Sequence, residues 1–235
     1  IGGGIQVDGV TSLLVANSTL SGNSAMATGG GLYSRGTTAL VNSTITGNSA
    51  KDAGGGVQTT GGSLTLQRVL VAGNTAPAGR EANRAAGTVA ADSHNLFGVG
   101  GNAGLAGFVA GATDVVPSAG LAAILGPLAN NSGLTMTHAL LVGSPAIDKG
   151  PSTACAAAPI GELDQRSQPR NIDGDGATTA NECDIGAYEF SPMGPVNTPT
   201  ATATPLVTPT RTPTATPTMV VIPPPPSLTP TATAT

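Results

Sequence analysis

The residues best placed to do chemistry are the oxygens of one short stretch, Asn171-Ile172-Asp173-Gly174-Asp175-Gly176, followed by Glu182. Side chains at positions 1, 3 and 5, a glycine at 6 and a glutamate at 12 match the spacing of a calcium loop. A tight loop turns every second side chain toward its centre, so alternating carboxylates converge on a hard cation. In this reading Asn171, Asp173 and Asp175 supply side-chain oxygens and Ala177 a carbonyl. Thr179 takes the water-linked position and Glu182 closes the shell. Position 1 is Asn where Asp is usual, and no helical pattern flanks the loop. The competing reading is a solvated Asp-Gly turn between two cysteines.

Cys155 and Cys183 are the only two cysteines. In an exported chain the expectation is a disulfide closing 183 − 155 = 28 residues of loop-rich sequence. His94 and His138 have no Cys or carboxylate at ligand spacing nearby, which points to structural or surface roles. Gly98-Val99-Gly100-Gly101-Asn102-Ala103 loosely resembles a dinucleotide loop. No βαβ pattern surrounds it, so it reads as a glycine-rich corner. Asn17-Ser18-Thr19, Asn42-Ser43-Thr44 and Asn130-Asn131-Ser132 fit the N-glycosylation pattern, but the first two are letters of a repeat, here assigned to strands. The remaining acids and bases of the first 76 residues are Asp8, Arg35, Lys51, Asp52 and Arg68. No two carboxylates recur at one repeat position, whereas a polysaccharide lyase needs a base beside calcium and a hydrolase needs clustered Asp.

The scaffold for these groups is written in residues 2–76. Glycine triplets begin at Gly2, Gly29 and Gly54, and each round closes on Gly-Asn-(Ser/Thr)-Ala with Asn23, Asn48 and Asn74. The closing asparagines are 48 − 23 = 25 and 74 − 48 = 26 residues apart. A period of this size means stacked units. Apolar residues alternate at period two, and aligned on the closing Asn they fall in columns. Leu13, Val15 and Leu20 match Thr38, Leu40 and Ile45, then Leu64, Leu66 and Val71. Ile5, Leu32 and Val57 follow the triplets. Short alternating β-branched runs bounded by Gly, Asn and Ser are strands. Winding each repeat into one turn lets every strand pair in parallel with its equivalent about 4.8 Å away. The expected fold is all-β, a parallel β-helix with about 25 residues per coil. Asn23, Asn48 and Asn74 are expected to form an inward amide ladder. Triplet-to-Asn spacing varies, which places an outward loop at one corner.

The strings GGGL and NSTITGNSA resemble repeats of polymorphic outer-membrane-type bacterial surface proteins. That resemblance implies a right-handed parallel β-helix. Three further strings lie in order between 124 and 189: ILGPLANNSGLTMTHALLVGSPAID, DQRSQPR and CDIGAYEF. Together they resemble the C-terminal signature of the choice-of-anchor Q domain family of bacterial surface β-helices. The resemblance implies a segment that closes the helix, without a catalytic role to carry over. The sequence departs from the family pattern at Ser167, where Gly is commoner.

Three segments follow: coils over 1–120, incomplete at the N-terminal side, a cap over 121–190, and a Thr/Pro-rich disordered spacer over 191–235. The cap holds eight of the thirteen acidic residues, and Asp164, Arg166, Arg170 and Asp184 are candidates to pair across it. The last segment holds twelve of nineteen prolines, fourteen threonines and one charge, Arg211. Proline at that density removes ladder donors and favours an extended spacer.

Composition narrows the function classes. Aromatics are 2% and charged residues 9% of the 235. That is thin for an ordinary globular core but suits a stack of small aliphatics. The net charge of −4 argues against nucleic acid. No apolar run is long enough for a transmembrane helix. The chain reads as part of a longer exported protein, extracellular or on a cell surface, and monomeric. The expected role is adhesion or glycan binding without catalysis, with polysaccharide or another cell surface as partner and calcium as cofactor. The alternative is a fragment of a polysaccharide lyase or glycosidase of the β-helix class.

Overall fold

The computed structural model describes residues 2–9, 11–91, 93–177 and 182–192. The expected spacer over 191–235 therefore lies outside the described residues except for Ser191 and Pro192. The first coil contributes β1 (Ile5–Val7), β2 (Ser12–Ala16), β3 (Thr19–Ser21) and β4 (Ser24–Ala25). The second repeats it as β5 (Leu32–Ser34), β6 (Thr37–Val41), β7 (Thr44–Thr46) and β8 (Ser49–Ala50). In the third, β9 (Val57–Gln67) runs through both of the first two positions and β10 (Leu70–Ala72) follows. The fourth is β11 (Ala82–Ala90) and β12 (Leu96–Phe97), and β13 (Leu105–Ala106) begins a further turn.

Every contact between coils is parallel. One sheet runs β1-β5-β9-β11-β13, with β2 and β6 joining β9 along its second half, and another runs β3-β7-β10-β12. The molecule is a parallel β-solenoid of about four turns. The registers match the aligned columns: Val15 pairs with Leu40 and Leu40 with Leu66, and Ile45 pairs with both Leu20 and Val71. These side chains point into one buried core that includes Leu32, Val57, Val69 and Phe97. Phe108 meets Phe97 edge to face at the fourth-turn end, with ring centroids 6.3 Å apart.

The variable corner is the turn after the triplet strand. Its inner edge is a glycine column that the triplets had overshadowed. A Cβ on Gly62 would lie 2.2 Å from the Gly36 carbonyl, and one on Gly87 2.6 Å from the Gly62 carbonyl. Backbone from adjacent coils approaches too closely there for any side chain.

Past residue 120 the chain leaves the stack. Two antiparallel strands, β14 (Leu125–Ala129) and β15 (Thr137–Leu140), precede a loop-rich segment with one short helix, α1 (Ser152–Ala156). The sequence suggests a cap over the end of the stack. The described contacts instead run along one flank, back to the first coil. Leu70, Ala72 and Leu96 face outward from the β10–β12 sheet and are buried against Ile124, Leu125, Leu140, Ile147 and Ile185. This sheet is therefore apolar on both faces in coils three and four, whereas coils one and two present Thr19, Ser21, Thr44 and Thr46. Apolar surface at that outer face has to be covered, and the C-terminal segment covers it. Among the described residues, no helix is long and apolar enough to cross a membrane.

Candidate functional site

The asparagine ladder forms as expected, and it is directional. The Oδ1 of Asn48 accepts from the backbone N–H and the side-chain amide of Asn23, at 3.0 and 2.9 Å. Asn74 Oδ1 accepts the same pair from Asn48, at 2.9 and 3.0 Å. The amides also donate inward to Leu20 and Ile45 carbonyls. At the fourth coil Glu81 takes over, and sequence reasoning missed it. Its Oε2 accepts from the Asn74 N–H at 3.0 Å and the Asn74 amide at 2.7 Å, and its Oε1 from Gly73 N–H.

The explanation lies in the third glycine of each triplet. A Cβ on Gly31 would sit 3.1 Å from the Asn48 amide, and one on Gly56 2.9 Å from that of Asn74. Glycine is favoured there because the next coil's backbone carbonyl, at 2.7 Å for Gly31 and 2.5 Å for Gly56, and the rung amide both crowd that space. Glu81 stands at the same coil position, next to the Ala82 that pairs with Val57, and its own carboxylate serves as the next rung. The break in the glycine pattern at 81 was the available signal. Burial pushes the Glu81 carboxyl above its usual range, against the pull of the Asn74 and Gly73 donors and of Arg80.

A second column sits at the corner after β2, β6 and β9. Asn17, Asn42, Arg68 and His94 all have positive φ, between 41° and 56°. The Asn of both repeated glycosylation-like patterns is thus a corner residue, not a strand residue. Asn tolerates this conformation; Arg68 is held in it by neighbours. The Arg68 Nε donates to Asn42 Oδ1 at 2.7 Å, and its carbonyl accepts from Gly186 N–H at 2.9 Å.

This corner is where the C-terminal segment clasps the coils. Asn17 donates to the Leu163 carbonyl at 2.8 Å and accepts from Arg170 Nη2 at 2.9 Å. Thr19 donates to Gln165 at 2.6 Å. The Thr44 hydroxyl accepts from Ala187 N–H at 3.0 Å. His138 donates through Nδ1 to the Gly126 carbonyl at 2.8 Å, leaving Nε2 to accept from the Ser21 hydroxyl at 2.9 Å. That is a structural tie, as the sequence suggested for this histidine.

Within the clasp the second and third family-like strings interlock. Asp164 pairs with Arg166, with N···O distances of 2.7–2.8 Å, and its Oδ2 accepts from Glu189 N–H at 3.0 Å. The Arg166 guanidinium stacks on Tyr188, 3.5 Å from the ring centroid. Arg170 is fully buried. Its carboxylate partner is Glu189, at 3.4 Å, which lay outside the four candidates read from the sequence; of Asp184 it reaches the backbone carbonyl. The Asp184 carboxylate instead accepts from Asp148 N–H and Phe190 N–H. Burial pushes Asp184 up to about 7, and burial together with Asp184 raises Glu189. The disulfide forms: Cys155 and Cys183 are bonded, with Cα atoms 6.4 Å apart.

The suspected calcium loop is divided. Asp173 and Asp175 meet Asp148, and one oxygen from each of the three lies within 4.8 Å of the others. Asp148 Oδ2 accepts from Gly174 N–H and Asp175 N–H at 2.9 and 2.8 Å. Asp173 accepts from Gly176 N–H and Asp175 from Ala177 N–H. Asn171 lines a separate cavity with Ser152, Cys155, Glu162 and Arg170. Glu182 is half-buried beside Cys183, and Thr179 lies outside the described residues. Asp148 sits 25 positions before Asp173, so no local spacing rule pointed to it.

The coil face carries another concave feature. A groove of about 780 Å³ opens between β11 and the loop over 107–111, lined by Thr65, Gln67, Arg84, Thr88, Val89 and Phe108 among others. Arg84 braces it by donating to the Gly107 carbonyl. A hydroxyl column leads into it, exposed at Ser12, Thr37 and Thr88 and half-buried at Ser63. Ser12 pairs with Thr37, Thr37 with Ser63 and Ser63 with Thr88, one hydroxyl per coil.

No family model, curated protein or solved structure matches the chain.

Proposed function

We propose that this chain is the binding portion of an exported bacterial surface protein, which holds a polysaccharide along its coils without cleaving it. The observation that carries the reading is the groove beside β11 with its hydroxyl column. Hydroxyls, an amide and a guanidinium flank an apolar patch of Val89 and Phe108. That mixture suits sugar rings, which offer hydroxyl edges and apolar faces, and the volume is in the range of ligand clefts, about 300–1,000 Å³. Stacked coils repeat one hydroxyl at roughly 4.8 Å, so a linear polymer meets the same chemistry at each step. The resemblance to choice-of-anchor Q domains and the disulfide support a place on or outside the cell. The Thr/Pro-rich sequence after the clasp has the composition of a spacer.

The test is affinity electrophoresis of the full chain through gels containing neutral and acidic cell-wall polysaccharides. Retardation by at least one polymer is expected, and its loss in Thr88→Val combined with Gln67→Ala. Equal retardation of wild type and variant would remove the groove from the reading. Release of unsaturated products or new reducing ends from the retarding polymer would replace binding with the lyase or glycosidase alternative.

A further inference from the structure

We infer that Asp148, Asp173 and Asp175 bind a calcium ion, with Asp148, outside the loop, as the anchoring ligand. The inference is independent of polysaccharide binding.

Three carboxylates face one another within 4.8 Å, two exposed and one, Asp148, only 5% exposed. Acidic residues gather on many surfaces without an ion, so the cluster alone decides nothing. The second observation is the state of Asp148. Its Oδ2 is saturated by the Gly174 and Asp175 N–H groups, while its Oδ1 is buried and has no hydrogen-bond partner. A buried carboxylate oxygen left without a donor is costly, and native proteins rarely tolerate one unless an ion or water completes it. The nearby cation does not fill the role. Lys149 Nζ lies 3.8 Å from Asp175 Oδ2 and donates to the Asp148 backbone carbonyl. Three carboxylates with oxygens this close repel one another. A divalent cation would relieve that repulsion.

The donor set selects the metal. All ligands are oxygens and no thiolate or imidazole takes part, which excludes the softer transition metals in favour of calcium or magnesium. Calcium accepts six to eight oxygens in irregular geometry, whereas magnesium demands a near-octahedral shell and gives up water reluctantly. Two loop carboxylates at alternate positions and one from another segment form an irregular set, and the site therefore takes calcium. The local sequence fits this use. A Cβ on Gly174 would lie 2.7 Å from Ile147 Cγ2, so only glycine lets the loop lie against Asp148. The ion would tie the 171–177 loop to Asp148. Because Asp148 N–H donates to Asp184, the tie extends to the clasp.

The test is isothermal titration of the chelator-treated full chain with calcium chloride and, separately, magnesium chloride, alongside melting curves in each. One calcium site is expected, with a dissociation constant on the order of 10⁻⁴ to 10⁻³ M and weaker magnesium binding. A calcium-dependent rise in melting temperature should accompany it. Asp173→Asn with Asp175→Asn changes two exposed side chains, so the fold should persist and both signals should vanish. Asp52→Asn, an exposed acid outside the cluster, should change neither. Absence of calcium heat and of a melting shift in the wild type would overturn the inference. So would calcium binding that survives in the double variant.

Discussion

The coils and the clasp solve the burial of polar groups in opposite ways. In the coils the buried polar groups are mostly neutral hydroxyls and amides, and the asparagine rungs repeat at 25 or 26 residues, each satisfied by its copy one turn away. Glu81 ends that series of rungs, and Arg68 at the clasped corner is the other buried charge among the described coil residues. In the clasp the buried polar groups are mostly charged: Asp148, Asp164, Arg166, Arg170, Asp184 and Glu189. Their partners lie at irregular separations, up to the 153 residues between Arg170 and Asn17. A periodic structure can reuse one neutral hydrogen-bonding device indefinitely. An aperiodic segment that must grip three coils at once uses the longer reach and multiple donors of guanidinium groups.

Removing the centre of each device would test this contrast, and the clasp should suffer more. Arg170→Met strands Glu189 as an unpaired buried charge and should cost about 3–5 kcal/mol in urea melts. Proteolysis of the native variant should begin within 144–190 and spare the coils. An equal loss of protection in both regions would mean that they unfold as one unit. Reducing the Cys155–Cys183 bond releases a loop of 28 residues and should cost about 3.5 kcal/mol in the chain-entropy model. Melting of the reduced protein measures it, and the same local pattern is expected.

The coil counterpart is Asn48→Ala, which removes the acceptor shared by the Asn23 donors and one donor each to the Leu20 and Thr46 carbonyls. A loss of about 2–3 kcal/mol is expected. Asn23→Ala, at the half-buried first rung, should cost about 1 kcal/mol. If both changes cost the same, the rungs act independently of depth in the stack.

The clasp should also respond to pH. Asp184 is raised by burial to about 7 in the folded state, against about 3.9 unfolded. Between those values the folded clasp binds more protons than the unfolded chain. Its contribution to stability is complete below about pH 4 and is lost as the pH rises through about 7. Chelator-treated protein should therefore show a modestly more protease-resistant clasp at pH 5.5 than at pH 8. Asp184→Asn should flatten the profile.

The coils were legible because their information is local and repeated. Registers such as Val15–Leu40–Leu66 could be read by aligning three copies, and the inward ladder followed from Asn23, Asn48 and Asn74. Glu81 escaped because it replaces a rung by standing in a glycine column, a relation visible only once Asn side chains are known to fill that column. The acidic cluster was legible only in part. Asp173 and Asp175 come together, but the third carboxylate is supplied by tertiary structure, and Asn171 turns to another cavity. The flank position of the clasp had one sequence signal, the unbroken run Val69-Leu70-Val71-Ala72. An alternating strand with one exposed face would not read that way, and all four residues are buried on both sides of the sheet.

The path of the clasp back to Asn17 has a mechanical consequence. A solenoid pulled at the end of its last coil is loaded as a zipper, and its strands peel one at a time. Here tension applied at Phe190 enters through bonds to Asn17 and Thr19 in coil one, Thr44 in coil two and Arg68 in coil three. The load is shared across three turns, so the weakest single rung no longer sets alone the force the stack can bear.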